Sequence, residues 1–297
     1  MKLSVIMPCY NSARTVAAQL DALTAQRWNH PWEVIVADNG STDDSVAIIQ
    51  QYRNRLPNLQ ILDASARQGA SFARNTAAKV ARGEFLLFCD SDDVADSGWL
   101  AAMGNALMEH EFVASRFEIR RLNSESLAGR AFIKGTHPQE TGLQTANYPP
   151  YLLHAACAAL GIHKTIYSKV GGLDETMMAL EDPDLCFRVQ LAGHKLVWIG
   201  DAVMHYRSRS TLKGWAQQIH NWSLWEAELA SRYQPQDAGI RTMDWIKALA
   251  RSTKRIVRLT ARMARMRSRE EMAMCTAYLA SEIGKVRGGL RVHAPPL

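Results

Sequence analysis

Three carboxylates arrive within four residues in Asp90-Ser91-Asp92-Asp93, directly after the apolar run Phe85-Leu86-Leu87-Phe88-Cys89. Carboxylates this close together can hold a hard, oxygen-liking cation such as Mg²⁺ or Mn²⁺, which keeps its other positions for water and a substrate's phosphates. Alone, the same stretch reads equally well as helix caps or a solvated loop. Two further residues carry complementary chemistry. The Tyr10 ring can stack on a nucleobase, and the Asp38 carboxylate can accept a base N–H. Together they specify a nucleoside diphosphate bridged by a divalent ion. No GxGxxG or GxxxxGK(S/T) follows the first strand, so the phosphates are expected to rest on a metal rather than on backbone N–H groups.

An alternation of strands and helices must position these residues. Leu3 to Met7 is strand-like and is expected to stop at Pro8, and Ser12 to cap a helix over 13–26. Trp32 to Ala37 is a second strand, closed by the turn-rich Asp38-Asn39-Gly40-Ser41-Thr42-Asp43. A helix to about Asn54, a strand at Leu59 to Leu62, a helix over 69–80 and a strand at Glu84 to Cys89 follow. This is the signature of an α/β fold, a Rossmann-like, mostly parallel sheet with helices on both faces. Tyr10 and Asn11, Asp38, and Asp90 with Asp92 all fall just past strand ends. Ligands of open α/β sheets bind there, where the strand order switches.

Further along, Glu111 to Ile119 is strand-like, and polar loops punctuated by Tyr148-Pro149-Pro150 run up to Tyr151. Ala158 to Ile162 is expected to return as a strand. A short helix over 164–170 closes at Gly171-Gly172, and 197–199 and 202–204 look like two short strands. Glu181 and Asp182 open a helix, where spacing alone makes them ordinary first-turn acids.

A chain of 297 residues can bury a sizeable core. No stretch approaches the roughly 18 apolar residues of a membrane span. Met-Lys-Leu runs straight into a strand without the apolar region of a signal peptide, and the five cysteines form no CxxC pair. A cytoplasmic protein with reduced thiols is expected. The net charge of +6 is concentrated at one end: residues 241–297 hold 13 Lys/Arg and 4 Asp/Glu, whereas residues 1–240 carry −3.

Five blocks carry a resemblance to family-2 glycosyltransferases of the GT-A fold. They are Ser4 to Asn11, Val36 to Asp43, Gly69 to Asn75, Gly83 to Asp93, and Val170 to Glu175 followed by Glu181 to Arg188, in that order over about residues 3–210. The resemblance implies transfer of a sugar, with inversion, from a nucleotide sugar, often UDP-linked. Pro8, Tyr10, Asn11, Asp38, Arg74, Asp90, Ser91 and Asp92 would bind the donor. Asp92 would touch the Mn²⁺ or Mg²⁺ ion, Asp90 would lie nearer the ribose, and Asp182 would be the general base, with Glu181 a positioning partner. A histidine at the place of His205 can be a further metal ligand, and Arg207 and Arg209 are candidate phosphate contacts. The chain departs from many members at Asp38-Asn39, where two acids are common, and Arg67-Gln68 has no assigned role. A nucleotidyltransferase would show a glycine- and Lys/Arg-rich first loop. A non-catalytic nucleotide-sugar-binding protein would be expected to lose Asp92 or Asp182.

The domain organisation that follows is a catalytic domain over 1–210, with a nucleotide-sugar half (1–110) and an acceptor half (111–210), and a basic helical extension over 211–297. That extension is expected to hold a Trp-rich helix from Thr211 to Tyr233, a break at 235–239, and a second helix. Arg251, Arg255, Arg258, Arg262, Arg265 and Arg269 are expected to line one face of the second helix, and Ile246, Leu249, Thr253, Ile256, Thr260 and Met263 another. Such a helix suits either packing on protein or an anionic membrane surface through 242–269, where a lipid-linked or other saccharide acceptor would be met. The basic face lacks interleaved aromatics, so nucleic acid is not expected. Oligomeric state is left open by the sequence.

Overall fold

The computed structural model describes the chain except residues 57, 136, 235–241, 264, 294 and 297, and the side chains of 242–244. The expected break at 235–239 lies outside the described residues.

The first half runs β1 (Leu3–Cys9), α1 (Val16–Thr24), β2 (Trp32–Asp38), α2 (Ser45–Gln50), β3 (Leu59–Asp63), α3 (Ala70–Val80), β4 (Phe85–Phe88), β5 (Val94–Ala95) and α4 (Trp99–Glu109). The second continues with β6 (Phe112–Glu118), α5 (Leu127–Lys134), β7 (Gln144–Thr145), β8 (Leu153–His154), β9 (Leu160–His163), α6 (Lys164–Lys169), α7 (Glu181–Leu191) and β10 (Leu196–His205). Three long helices follow, α8 (Leu212–Tyr233), α9 (Thr242–Met263) and α10 (Arg269–Arg291).

The main sheet has the order β3-β2-β1-β4-β9-β6-β10-β5. Strands β1 to β4 are parallel, β9 is antiparallel to both of its neighbours, β10 is parallel to β6, and the two-residue β5 is antiparallel to β10. Alternate side chains of a strand face opposite sides, and both sides here are covered. Leu3, Val5 and Met7 of β1 join Leu20, Leu23, Ile49, Trp99 and Met103 on one face. Ile6 joins Ala73, Ala77, Ile166, Leu185 and Val189 on the other.

Pro8 does not stop β1. The strand continues to Cys9 against β2, while its pairing with β4 ends at Ile6. The carbonyls of Ile6 and Cys9 turn to opposite sides, accepting from Cys89 and Asn39 respectively. By this alternation the missing N–H of Pro8 faces the β4 side, beyond the last paired residue, and no ladder bond is lost.

The expected pair of short strands is one strand, β10, whose register against β6 shifts between Ile199 and Val203. A β-bulge of this kind carries turn-like residues, here Gly200-Asp201, without ending the strand. The first helix begins at Val16 rather than Ala13, because the Ser12 carbonyl first closes a turn with the N–H groups of Thr15 and Val16.

The C-terminal helices pack back on the sheet layers. Trp215 of α8 meets Ala128 and Ala131 of α5 and Ala273 and Ala277 of α10. Glycines permit the α8–α10 approach: a Cβ on Gly284 or Gly288 would lie 2.5 or 2.3 Å from the carbonyl oxygens of His220 and Leu224. The basic helix also differs from expectation. It ends at Met263, and Ser268 caps a new helix by accepting from the Glu271 N–H over 3.4 Å. Arg265 and Arg269 therefore leave the arginine face of α9.

Candidate active site

Three loops meet at the carboxyl ends of β1, β2 and β4. Cys9 and Asp38 are register partners at the ends of β1 and β2. Asn11 takes a left-handed backbone, φ 49°, and stitches the two loops together: its N–H donates to Ser41 Oγ over 3.0 Å and its side-chain oxygen accepts from Thr42 N–H over 2.8 Å. Asp38 accepts from Ser41 N–H at 3.3 Å through each oxygen. The Tyr10 ring, 54% exposed, stands free at this edge.

Asn39 holds a fourth loop in place. Its amide nitrogen donates to the carbonyls of Ala64 and Arg67, at 2.6 and 2.8 Å, and its oxygen accepts from Gly69 N–H at 2.7 Å. Only a side chain with both a donor and an acceptor can do this, which accounts for an amide at this position. Gln68 donates to the Asn39 carbonyl, and Arg67 reaches the carbonyl and carboxylate of Glu175. Neither residue carries its role in its spacing, since both contacts are tertiary.

The loop after β4 concentrates negative charge. One carboxylate oxygen from each of Asp90, Asp92 and Asp93 lies within 4.8 Å of the others. Ser91, buried, bonds Ser12 Oγ at 2.7 Å and so fastens this loop to the one after β1. Burial, and next the Asp90 carboxylate, push the Asp92 carboxyl up to about 6. Asp93 is raised as well, by burial and then by Asp92 and Asp90. Asp93 Oδ1 accepts from Arg207 N–H at 2.7 Å, whereas its Oδ2 is buried with no hydrogen-bond partner among the described residues. Arg207 Nε also donates to the Asp92 carbonyl, and Arg209 stands 3.7 Å from Asp92 Oδ2. Clustered carboxylates that hold their protons more tightly than usual, and a buried oxygen left unbonded, are the chemistry of a set of hard-cation ligands.

Arg74 joins this loop to α7. It rises from α3 into a buried position, with Asp90 Oδ1 at 2.5 Å from Nη2 and Glu181 Oε1 at 3.5 Å from Nη1. Asp182 follows Glu181 in the first turn of α7 and accepts from Cys157 N–H over 3.2 Å. Burial, then the neighbouring Glu181 carboxylate, push the Asp182 carboxyl up to about 7. The segment before α7 is braced by Asn75, whose amide nitrogen donates to Leu173 O and Glu175 Oε1 at 2.8 Å each. Gly172, at φ 69°, is required there, because a Cβ would stand 2.7 Å from Asn75 Oδ1.

His205 is not brought into the acidic cluster. Its Nδ1 lies 2.9 Å from Glu118 Oε2, and its Nε2 lies 3.2 Å from Asp96 Oδ1 and 3.0 Å from Arg121 Nη1. Both ring nitrogens are thus engaged at the end of β10, and Asp93 stands in the cluster instead.

The family model for glycosyl transferase family 2 matches residues 4–169, more than half of the chain. The chain belongs to this family. This glycosyltransferase is similar to the poly(ribitol-phosphate) beta-N-acetylglucosaminyltransferase TarS of Staphylococcus aureus, 28% identical over 213 residues, covering 70% of the chain and 36% of TarS. It spans only 22% and 36% of the poly(ribitol-phosphate) transferases it matches. Two solved structures share the fold. S. aureus TarS 1–349 in complex with UDP-GlcNAc has a TM-score of 0.55 and 17% identity, over 99% of this chain and 93% of that one. The mannosyltransferase PcManGT from Pyrobaculum calidifontis, in complex with GDP-Man and Mn²⁺, has a TM-score of 0.61 and 18% identity, over 96% and 86%.

Proposed function

We propose that this family 2 glycosyltransferase moves a sugar, with inversion, from a UDP-linked donor to a hydroxyl of a saccharide or lipid-linked cell-envelope acceptor. The observation that carries the reading is the Asp90–Arg74–Glu181 bridge, which links the acidic loop to the α7 turn bearing Asp182. Tyr10 stacks on the base and Asp38 accepts its N–H, while Pro8, Asn11 and Ser91 shape the cleft and Arg74 and Asp90 border the ribose. Asp92, with Asp90 and Asp93, would hold Mn²⁺ or Mg²⁺, which supplies charge neutralisation at the diphosphate leaving group. The poly(ribitol-phosphate) acceptor of TarS and its complex with UDP-GlcNAc support a polyol-phosphate acceptor and a UDP donor.

Asp182 is the base. Its carboxylate removes the proton of the acceptor hydroxyl as that oxygen attacks the anomeric carbon. The bond from that carbon to the diphosphate breaks on the opposite face, and its electron pair leaves with the nucleotide. A carboxyl that titrates at about 7 suits the step, since it is substantially ionised at neutral pH yet basic enough to accept a proton. Arg207 and Arg209, both beside Asp92, are the phosphate contacts in this reading. Residues 1–210 form the catalytic unit in this reading, and the chain works in the cytoplasm at the inner face of the membrane. No helix among the described residues is long and apolar enough to cross it.

Thermal-shift measurement with UDP and GDP, each with and without Mn²⁺, tests the donor site, followed by hydrolysis of UDP-GlcNAc and GDP-mannose. UDP stabilisation that depends on metal is expected. No stabilisation by either nucleotide, or full transfer in Asp182→Asn, would overturn the reading.

A further inference from the structure

Helix α9 presents three faces at 3.6 residues per turn. Trp245, Ala248, Ser252, Ile256, Leu259 and Met263 follow one stripe, and all are buried or half-buried. Arg255 pairs with Glu282 of α10 at 3.1 Å, on the side where α9 meets that helix. The second stripe, Ile246, Leu249, Ala250, Thr253 and Val257, is exposed: Ile246 is 57% accessible and Val257 59%. The third carries Lys247, Arg251, Lys254, Arg258 and Arg262, all exposed and without an ion-pair partner among the described residues. No acid occurs from Trp245 to Arg269.

The sequence pattern placed Ile256 and Met263 with Ile246 and Leu249. In the fold Ile256 and Met263 are half-buried, and a separate apolar strip is left in solvent, bordered on one side by protein and on the other by cations. A solvated surface gains nothing from exposed Ile, Leu and Val in line. An acidic protein partner would be met by the charges but not by the strip. A bilayer with anionic headgroups satisfies both, taking aliphatic side chains at the acyl boundary while Lys and Arg extend to the phosphates.

We propose that the exposed apolar strip of α9 lies on an anionic lipid bilayer, with its Lys/Arg stripe on the headgroups. This deepens the membrane-face location stated above by naming the contact, and it is separable from the donor chemistry, because none of these residues lies in the active-site loops. The charge contribution is sizeable: one Lys or Arg at an anionic surface is worth about fivefold in affinity, so two together give roughly thirtyfold.

The test is co-sedimentation of the full chain with vesicles of phosphatidylcholine alone and with phosphatidylglycerol added. Wild-type protein is expected to bind only the anionic vesicles. The pair Lys254→Gln and Arg258→Gln should weaken that binding about thirtyfold, and Leu249→Gln with Val257→Gln should lose it at unchanged net charge. Circular dichroism melting verifies that both pairs fold, and hydrolysis of UDP-sugar without vesicles reads the active site independently. Indifference of the wild type to anionic vesicles at low salt overturns the proposal, as does binding that neither pair alters. Self-association that Val257→Gln dissolves would assign the strip to a second copy of the chain instead. Vesicle binding without donor turnover would leave this surface standing and remove the functional reading.

Discussion

Arg74 pairs with Asp90 at 2.5 Å and, through its other amino group, with Glu181 at 3.5 Å, so one buried guanidinium ties the acidic loop to the helix that carries Asp182. Residues 74, 90 and 181 lie on three separate elements. Replacing Arg74 by Met leaves two carboxylates without their cation in a largely buried setting, at a cost of about 3 kcal/mol. Urea denaturation should show that loss. Arg74→Lys should keep part of the stability, since one ammonium cannot span both carboxylates, yet raise the donor KM.

Asp92 should be the residue on which metal-dependent nucleotide binding turns. Asp92→Ala is expected to abolish the Mn²⁺-dependent part of the thermal shift with UDP while leaving the fold intact. Isothermal titration with Mn²⁺ and UDP measures it directly, and an unchanged affinity would exclude Asp92 as a ligand.

The acidic loop also predicts a pH dependence of stability without metal. The folded Asp92 carboxyl titrates at about 6, against an ordinary 3.8. The folded state therefore holds a proton that the unfolded chain has released, and its stability falls as pH rises from about 4 to about 6. Melting temperature should drop over that window, and Asp92→Asn should remove much of the drop. Added Mn²⁺ should do the same by replacing the proton.

Asp182 makes a kinetic prediction of opposite sign. In the role proposed for it, and with a carboxyl that titrates at about 7, it should give a transfer rate that climbs with pH below 7 and levels off above it. In Asp182→Asn the rate should fall by roughly 10²- to 10⁴-fold and lose this limb, while donor binding, read by thermal shift, survives.

Asn39→Asp tests why this chain carries an amide there. An acid would turn a second acceptor toward the carbonyls of Ala64 and Arg67, which now receive hydrogen bonds. The expected cost is about 1–3 kcal/mol by chemical denaturation. A neutral result would mean that the loop 64–69 is held by other contacts.

The sequence made legible what depends on local pattern. β1 to β4 are apolar runs ended by turn residues, so their order and the convergence of Tyr10, Asp38 and Asp90 at one sheet edge could be read directly. Features set by partners distant in the chain could not. The antiparallel insertion of β9 depends on its neighbours β4 and β6, and four residues carry no mark of direction. Gly200-Asp201 reads as a turn because a bulge uses the same residues. Asn39, Arg67 and Gln68 act across tertiary contacts, and His205 has its role fixed by Glu118 and Asp96 from other elements.

The position of β9 also bears on how a donor is captured. Its segment belongs to the second half of the chain, yet it is hydrogen-bonded between β4 of the first half and β6. The two halves thus share an unbroken backbone ladder, and a hinge that swung one against the other would have to rupture it. A donor that entered the cleft would therefore meet a sheet that spans both halves as one piece, and any adjustment to its sugar would fall to the segments outside the sheet.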